Sequence, residues 1–423
     1  MWMWASGRSG EIGREREMMS EAKLPVWALS GLGATQIIGY GTLYYCLSIL
    51  VPDIAHDLAV SEQWVFGAFS LALLIGAFAA PLSGKLADRW GAGRVMAFGS
   101  IGSALTLLLT AVSSGAAGFA LSLTLMQVVS AGVLYSTAFT AIVQAGGRKS
   151  QTSIVHLTLI AGFASSLFWP LTTWLHGLLS WREVLMLYGA LHVLVCLPVH
   201  IGLARLTSGA LVAARTAPPA QESARPPANG TLVFVLMLLG FAIEGYALSA
   251  MLVHMVPLTQ ALGLGTAGLV IASLFGPAQV ASRLINLVFG GGLQQMWLAV
   301  IAAVLMPIGV VILLSTTPWI AGAVLFAICM GLGSGLTSIV GGTLPLELFG
   351  RNGYGSRLGW CTSAKQTTSA IAPVLMSMSM AGIGVHGSLW VVTAAGLAGA
   401  GAFAMIPFVL KHRTFEGNAS YNP

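Results

Sequence analysis

Gly84-Lys85-Leu86-Ala87-Asp88-Arg89-Trp90-Gly91-Ala92-Gly93-Arg94 separates two long apolar runs. Only 8% of the chain is charged, yet Lys85, Asp88, Arg89 and Arg94 crowd into this stretch. Each flanking run is about 20 residues long, the length an α-helix needs to cross the hydrocarbon layer of a membrane. A charged, glycine-rich stretch between two such runs reads as a tight hairpin at the membrane surface. Gly84 and Gly91 allow close packing and a sharp turn. Asp88 and Arg89 stand where a carboxylate and a guanidinium can engage neighbouring helix ends.

The rest of the chain agrees with a membrane setting. Of its 423 residues 56% are apolar and 52 are glycine, and the mean hydropathy is +0.85. That composition belongs to a membrane protein rather than to a soluble core. Windows of about 20 apolar residues fit twelve times. They lie near 26–50, 62–83, 95–113, 117–144, 152–176, 182–204, 231–255, 266–290, 294–315, 318–345, 358–380 and 387–410. The first 24 residues are polar and charged and do not resemble a cleaved signal peptide. Met1–Glu17 has no recognisable role, so Met1, Met18 and Met19 are all open as the true start. Cys46, Cys196, Cys329 and Cys361 lie singly in apolar runs without a CxxC pair, and read as buried, reduced thiols. No metal or cofactor is expected.

Lysine and arginine placement sets the orientation of a membrane protein. With the N-terminus inside, 16 of the 19 basic residues fall in cytoplasmic segments, and Arg182 is the one basic residue in an outside loop. Arg283 and Lys365 fall within spans. Both termini are therefore expected in the cytoplasm, with the chain a multi-pass protein of the cell membrane, here a bacterial inner membrane. The net charge of +6 then reflects topology. No basic patch interleaved with aromatics points to nucleic acid.

Residues 205–230 are rich in Ala, Pro and Arg and break the apolar pattern. The expected organisation is a cytoplasmic tail (1–24), a six-helix bundle (25–204), a cytoplasmic linker (205–230), a second six-helix bundle (231–411) and a cytoplasmic tail (412–423). The spacing G-x-L-x-D-R-x-G followed by a basic residue resembles the loop between the second and third helices of the major facilitator superfamily. The six-plus-six arrangement is similar to that family as well. The resemblance implies an all-α membrane protein of twelve transmembrane helices in two bundles that rock around a central site. It implies a small-molecule substrate, a lipid bilayer as surroundings and a monomer, with proton coupling left open. It also makes Gly84, Asp88, Arg89, Gly91 and Arg94 a conformational latch. The family's acidic residue, here Asp88, faces the start of the eleventh helix, where Gly353-Tyr354-Gly355-Ser356 leaves backbone donors approachable. The alternative is a solvated loop charge. The chain departs from the family in placing Ala92 and Gly93 before Arg94. In the second half the matching loop, Gly290-Gly291-Gly292-Leu293-Gln294-Gln295, keeps the glycines without the charge. The latch is therefore expected to rest on the first-half loop alone.

Charge buried inside a membrane costs several kcal/mol unless it is paired or lines water. Glu244, Arg283 and Lys365 are the three such residues, all in the second half. Arg283 and Lys365 are expected roughly 10 Å inside one membrane face and Glu244 about 20 Å from it. Two cations and one carboxylate suit an anionic substrate. A structural ion pair, or basic chains snorkelling to the surface, is the alternative. Arg148-Lys149 with Gly162, Ser166 and Pro170 resembles a signature region of monocarboxylate-porter-like transporters. The run from Phe275 to Arg283 is similar to the same branch, which implies Arg283 as the partner of a substrate carboxylate. Gln279 replaces that branch's carboxylate one turn earlier, so the resemblance does not extend to proton coupling by that route. Gln36, Tyr40, Gln127, Tyr135, His156 and Asn286 are candidates to complete the cavity, with Tyr40 between Gly39 and Gly41. His156 reads either as a titrating group or as a satisfied structural histidine. Trp169-Pro170 is expected to kink the fifth span.

Negative findings narrow the field. The sequence has no P-loop and no HExxH, and Ser334 lacks the flanking spacing of a nucleophile elbow. The reading is a secondary transporter, a symporter or antiporter, moving a small organic anion such as a monocarboxylate by alternating access. Efflux of a drug-like or metalloid toxicant is the alternative. An intramembrane enzyme or a receptor on the same fold is more remote.

Overall fold

The computed structural model describes residues 24–216, 229–265 and 267–419. Most of the expected N-terminal tail, residues 217–228 of the expected linker and residues 420–423 lie outside the described residues. The described chain is helical from end to end. In chain order the crossings are α1 (Val26–Asp57), α2 (Glu62–Ala77 with Ala80–Trp90), α3 (Ala92–Ala111), α4 (Ala116–Ala145), α5 (Ser150–His176) and α6 (Trp181–Val212). The second half has α7 (Gly230–Ala261), α8 (Ala267–Phe289), α9 (Gln295–Thr316) and α10 (Ile320–Phe349). A last apolar run, Tyr354–Leu410, is divided at Gly384, whose φ of 74° no helix accommodates. It supplies α11 (354–383) and α12 (385–410), so the fold is an all-α membrane protein with the expected twelve crossings.

The hairpin at 84–94 is tighter than a loop. Helix α2 continues through Asp88 and Arg89 to Trp90, and α3 begins at Ala92. Gly91, at φ 95°, is the whole turn, a conformation that disfavours any side chain. Gln144 of α4 closes the ends, accepting from Ala92 N at 2.8 Å and donating to Ala87 O at 2.9 Å. Helix α6 also runs on past residue 204, with helical backbone to Thr216.

Five crossings are irregular, α6 by a π turn at His192–Cys196 and four others as follows, and in three of these four the irregular stretch supplies cavity residues or abuts a buried charge. Helix α2 bends by 42° between Ala77 and Ala80. Helix α1 contains a π turn, Gly41–Tyr45, closed by Cys46 N to Gly41 O at 2.9 Å. One extra residue in a turn carries position i+5 over position i, so Tyr45 follows Tyr40 on one face. Helix α4 is broken at 131–134. Its freed carbonyls are satisfied by side chains: Ser83 Oγ donates to Ala131 O at 2.9 Å, and Gln36 Nε2 to Val133 O at 2.8 Å. A membrane interior demands such partners. Helix α5 is interrupted at Gly162–Phe163, two turns before Pro170, which itself stays in helix.

The two halves meet unevenly. At the end that carries Asp88, buried clusters cross between halves: Tyr354 and Leu358 join Ala87, Phe139 and Ile142, and Val155 joins Phe241 and Ile339. At the opposite end one cluster, built on Phe119 and Trp181, stays within α1–α6. The other, built on Met251 and Phe326, stays within α7–α12. Helix α5 packs on α1 along its length but reaches the second half, on α8 and α10, through Ser150–Ala161. The molecule is sealed at the Asp88 end.

Candidate functional site

Between the halves, above the sealed end, lies a cavity of about 280 Å³. From the first half it is walled by Tyr40, Gly76, Gln127, Tyr135 and Phe139. From the second half come Phe241 of α7, Ser338 of α10, and Thr362, Lys365, Gln366 and Ser369 of α11. The four α11 positions fall at helical spacing on one face, within a polar stretch of that helix that also holds Ser363, Thr367 and Thr368. Gly76 packs its α-carbon against Gln127, where an added Cβ would come within 2.8 Å of the backbone carbonyl. The Gln127 amide donates to Leu43 O at 2.8 Å, tying α4 to the π turn of α1.

The three buried charges surround this cavity without touching one another. No two lie within 4.0 Å as an ion pair. Glu244 on α7 is 4% exposed and accepts from Thr337 Oγ1 at 3.1 Å. Arg283 on α8 is 3% exposed, and its Nη2 donates to Ser338 Oγ at 3.1 Å. Adjacent residues of α10 thus hold the carboxylate and the guanidinium apart. Arg283 Nε and Nη1 are buried with no hydrogen-bond partner among the described residues. Nη1 lies against Gly162 of α5, in space that a Cβ would fill. Lys365 lines the cavity itself. Two cations and one carboxylate leave the site with an excess of positive charge, and an unpaired buried donor is costly until something accepts from it.

The sealed end is built from backbone. Asp88 accepts from Gly355 N at 2.9 Å and from Ser356 N at 2.8 Å, two free donors in the first turn of α11. A negative charge there is favoured by the helix dipole. Gly84 lies directly on the Gly355 carbonyl, and Gly359 abuts Ala80 and Pro81. Small residues of this kind let membrane helices approach backbone to backbone. Arg89 and Arg94 are exposed beside the seam, and Gly91 is the turn itself. A second clasp joins the halves nearby. Arg351, in the turn between α10 and α11, donates to the carbonyl of Gly147 in the α4–α5 turn and to Ser150 Oγ at the start of α5. Burial lowers its pKa from the ordinary guanidinium value, and it stays charged at neutral pH all the same.

Of the residues singled out from sequence, Tyr40 and Lys365 line the cavity, with Gln127 and Tyr135. Glu244 and Arg283 stand just behind the wall. Gln36 is buried and ties α1 to the break in α4. His156 turns back to its own helix, Nδ1 lying 2.8 Å from Thr152 O. Asn286 lies beside Gly290 at the end of α8. Neither is part of the cavity wall. Sequence reasoning passed over Thr362, Gln366 and Ser369, which the spacing around Lys365 gave away. It also passed over Arg351, a turn residue with no pattern to mark it. The four cysteines are unpaired, and Cys361 lines the cavity. Among the described residues, no cluster of three or more His, Cys, Asp or Glu could hold a metal ion.

No curated protein matches the chain. Solved structures resemble it in fold. The chain is 13% identical to the transporter FucP in its outward conformation, with a TM-score of 0.62 over 90% of this chain and 98% of that one. Against the human organic anion transporter MFSD10 (TETRAN) the values are 16%, 0.66, 92% and 100%. Against the proton:xylose symporter XylE, bound to 6-bromo-6-deoxy-D-glucose, they are 14%, 0.67, 90% and 96%. The family model of the Major Facilitator Superfamily matches residues 34–373, most of the chain. With twelve crossings, a cavity between its halves and a seal at one end, this multi-pass membrane protein belongs to the Major Facilitator Superfamily of transporters.

Proposed function

We propose that the protein is a secondary active transporter that moves a small organic anion, such as a monocarboxylate, by alternating access. The observation that carries the reading is the excess positive charge at the cavity. Lys365 sits in its wall, and Arg283 waits behind with two unpartnered donors. Water screens a surface charge, whereas a cation held in low dielectric is stabilised most by an anion brought to it. Basic residues concentrate at the Asp88 end, so that end and both termini are assigned to the cytoplasm. The described conformation is then closed inside. Asp88 and Arg351 hold the closed state and release when the cavity turns inward. Glu244, separate from the cavity wall and bonded among the described residues to Thr337, is the carboxylate available to carry a proton with the substrate.

Uptake of labelled carboxylates into proteoliposomes, with and without an inward proton gradient, tests this reading. Saturable accumulation of a monocarboxylate, enhanced by external acid, is expected. Transport confined to neutral or cationic compounds would overturn it.

A further inference from the structure

A continuous row of aromatic rings runs along the first-half side of the cavity, and charge recognition does not require it. The row begins near the sealed end, where Phe139 stacks on Tyr135 with centroids 5.0 Å apart and planes 15° apart. Tyr135 meets Tyr40 at 4.8 Å, and Tyr40 meets Tyr45 at 6.5 Å. From Tyr45 the row divides toward the other end of the molecule. One branch reaches Trp169 at 5.8 Å; the other passes through Tyr44, at 5.2 Å, to Phe69, at 5.6 Å.

Four crossings, α1, α2, α4 and α5, contribute to this row, so no single helix's periodicity produces it. The π turn of α1 is what brings Tyr45 into line after Tyr40. Its inner end is buried and its outer members are more open: Phe139 is 3% exposed, whereas Tyr44 is 42% and Trp169 47%. The inner members Phe139, Tyr135 and Tyr40 form cavity wall, and the second-half wall facing them carries Lys365. Rings with centroids 4.5–7 Å apart attract one another beyond the area they bury, through their quadrupoles. A ligand with a flat aromatic body can join such a row, while a saturated body of equal size gains only the burial.

We propose that the transported anion is an aromatic monocarboxylate, its carboxylate on Lys365 and its ring on the wall of Tyr40, Tyr135 and Phe139. This rests on the anion reading above and adds the nature of the apolar body. The cavity's size suits one ring with a short acid chain, since 280 Å³ is at the small end of ligand pockets, about 300–1,000 Å³.

The test is equilibrium binding to the purified full chain in detergent, with four probes: phenylacetate, cyclohexylacetate, phenylacetamide and acetate. Phenylacetate is expected to bind tightest. Cyclohexylacetate should bind about three- to ten-fold more weakly, the range of an aromatic pair, and phenylacetamide and acetate more weakly still. Tyr135→Leu and Phe139→Leu should each narrow the gap between phenylacetate and cyclohexylacetate. If either variant fails to fold, the four-ligand comparison on the unaltered chain decides alone. Equal binding of phenylacetate and cyclohexylacetate, with the amide weak, would overturn the aromatic proposal and leave the anion site standing. Equal binding of phenylacetate and phenylacetamide would overturn the anion reading and the proposal with it.

Discussion

Arg283 of α8 lays its guanidinium against Gly162 of α5, across the boundary between the two halves. The contact joins the one wholly buried arginine of the site to the interruption in α5, and it depends on the absence of a side chain at 162. An alanine there would occupy the place of Nη1. Gly162→Ala is therefore expected to displace Arg283 and weaken carboxylate binding about ten-fold, the effect of losing roughly one charge-assisted hydrogen bond. Titration of the purified variant with a monocarboxylate checks this. Wild-type affinity would show that the guanidinium's placement does not matter.

Asp88 binds two backbone donors of α11, at 2.9 and 2.8 Å. Hydrogen bonds to a charged group are each worth about 1.5–3 kcal/mol, enough to shift a conformational equilibrium ten-fold or more. Asp88→Asn should open the sealed end while the protein still folds. Alkylation of Cys361, with the other three cysteines replaced by alanine, reports it from the cytoplasmic side of inverted vesicles. Faster labelling is expected; an unchanged rate would reduce Asp88 to a surface charge.

Arg351 predicts a separable contribution to the same seal. Its partners lie in the α4–α5 turn and at the start of α5, whereas those of Asp88 lie on α11, so the two clasps share no group. Arg351→Ala should also speed Cys361 labelling, and combined with Asp88→Asn the effects on opening free energy should add within about 0.5 kcal/mol. A double variant no faster than Asp88→Asn alone would mean that Arg351 does not hold the closed state.

Glu244 and Arg283 are held apart by Thr337 and Ser338 rather than paired, and stability measurements distinguish the two arrangements. If they formed a structural pair, either single neutralisation would strand a buried charge and cost about 3–5 kcal/mol, and the double would recover it. The separated arrangement predicts no such recovery: Glu244→Gln and Arg283→Gln should have additive effects on thermal stability. Glu244→Gln should also abolish acceleration of uptake by a proton gradient while leaving counterflow exchange intact. Gradient-driven uptake that survives the substitution would rule out Glu244 as the proton carrier.

The crossings were legible because each must supply about 20 apolar residues, a constraint that leaves no room for disguise. Their irregularities were not. The π turn at Gly41–Tyr45, the break at 131–134 and the bend between Ala77 and Ala80 carry apolar sequences that would serve a straight helix equally well. They exist because tertiary partners, such as Ser83 on Ala131 O, satisfy the freed backbone. Gly91 was legible as a turn, but not as the entire turn, since Gln144 that closes it lies over 50 positions away. Lys365 was visible as a buried charge, and its polar neighbours at 362, 366 and 369 could have been read from it. Charge content alone did not distinguish Lys365, inside the cavity, from Glu244 and Arg283 behind its wall. That distinction depends on which way each helix is rotated.

The central claim is that this cavity transports an anion through Lys365. Its most direct test is the initial rate of labelled monocarboxylate uptake by proteoliposomes carrying Lys365→Met, beside wild-type protein of matched amount and thermal stability. Methionine keeps much of the side chain's apolar stem and removes the charge. A fall of at least about ten-fold is expected, the loss of one charged contact. Uptake at the wild-type rate by a folded Lys365→Met protein would contradict it.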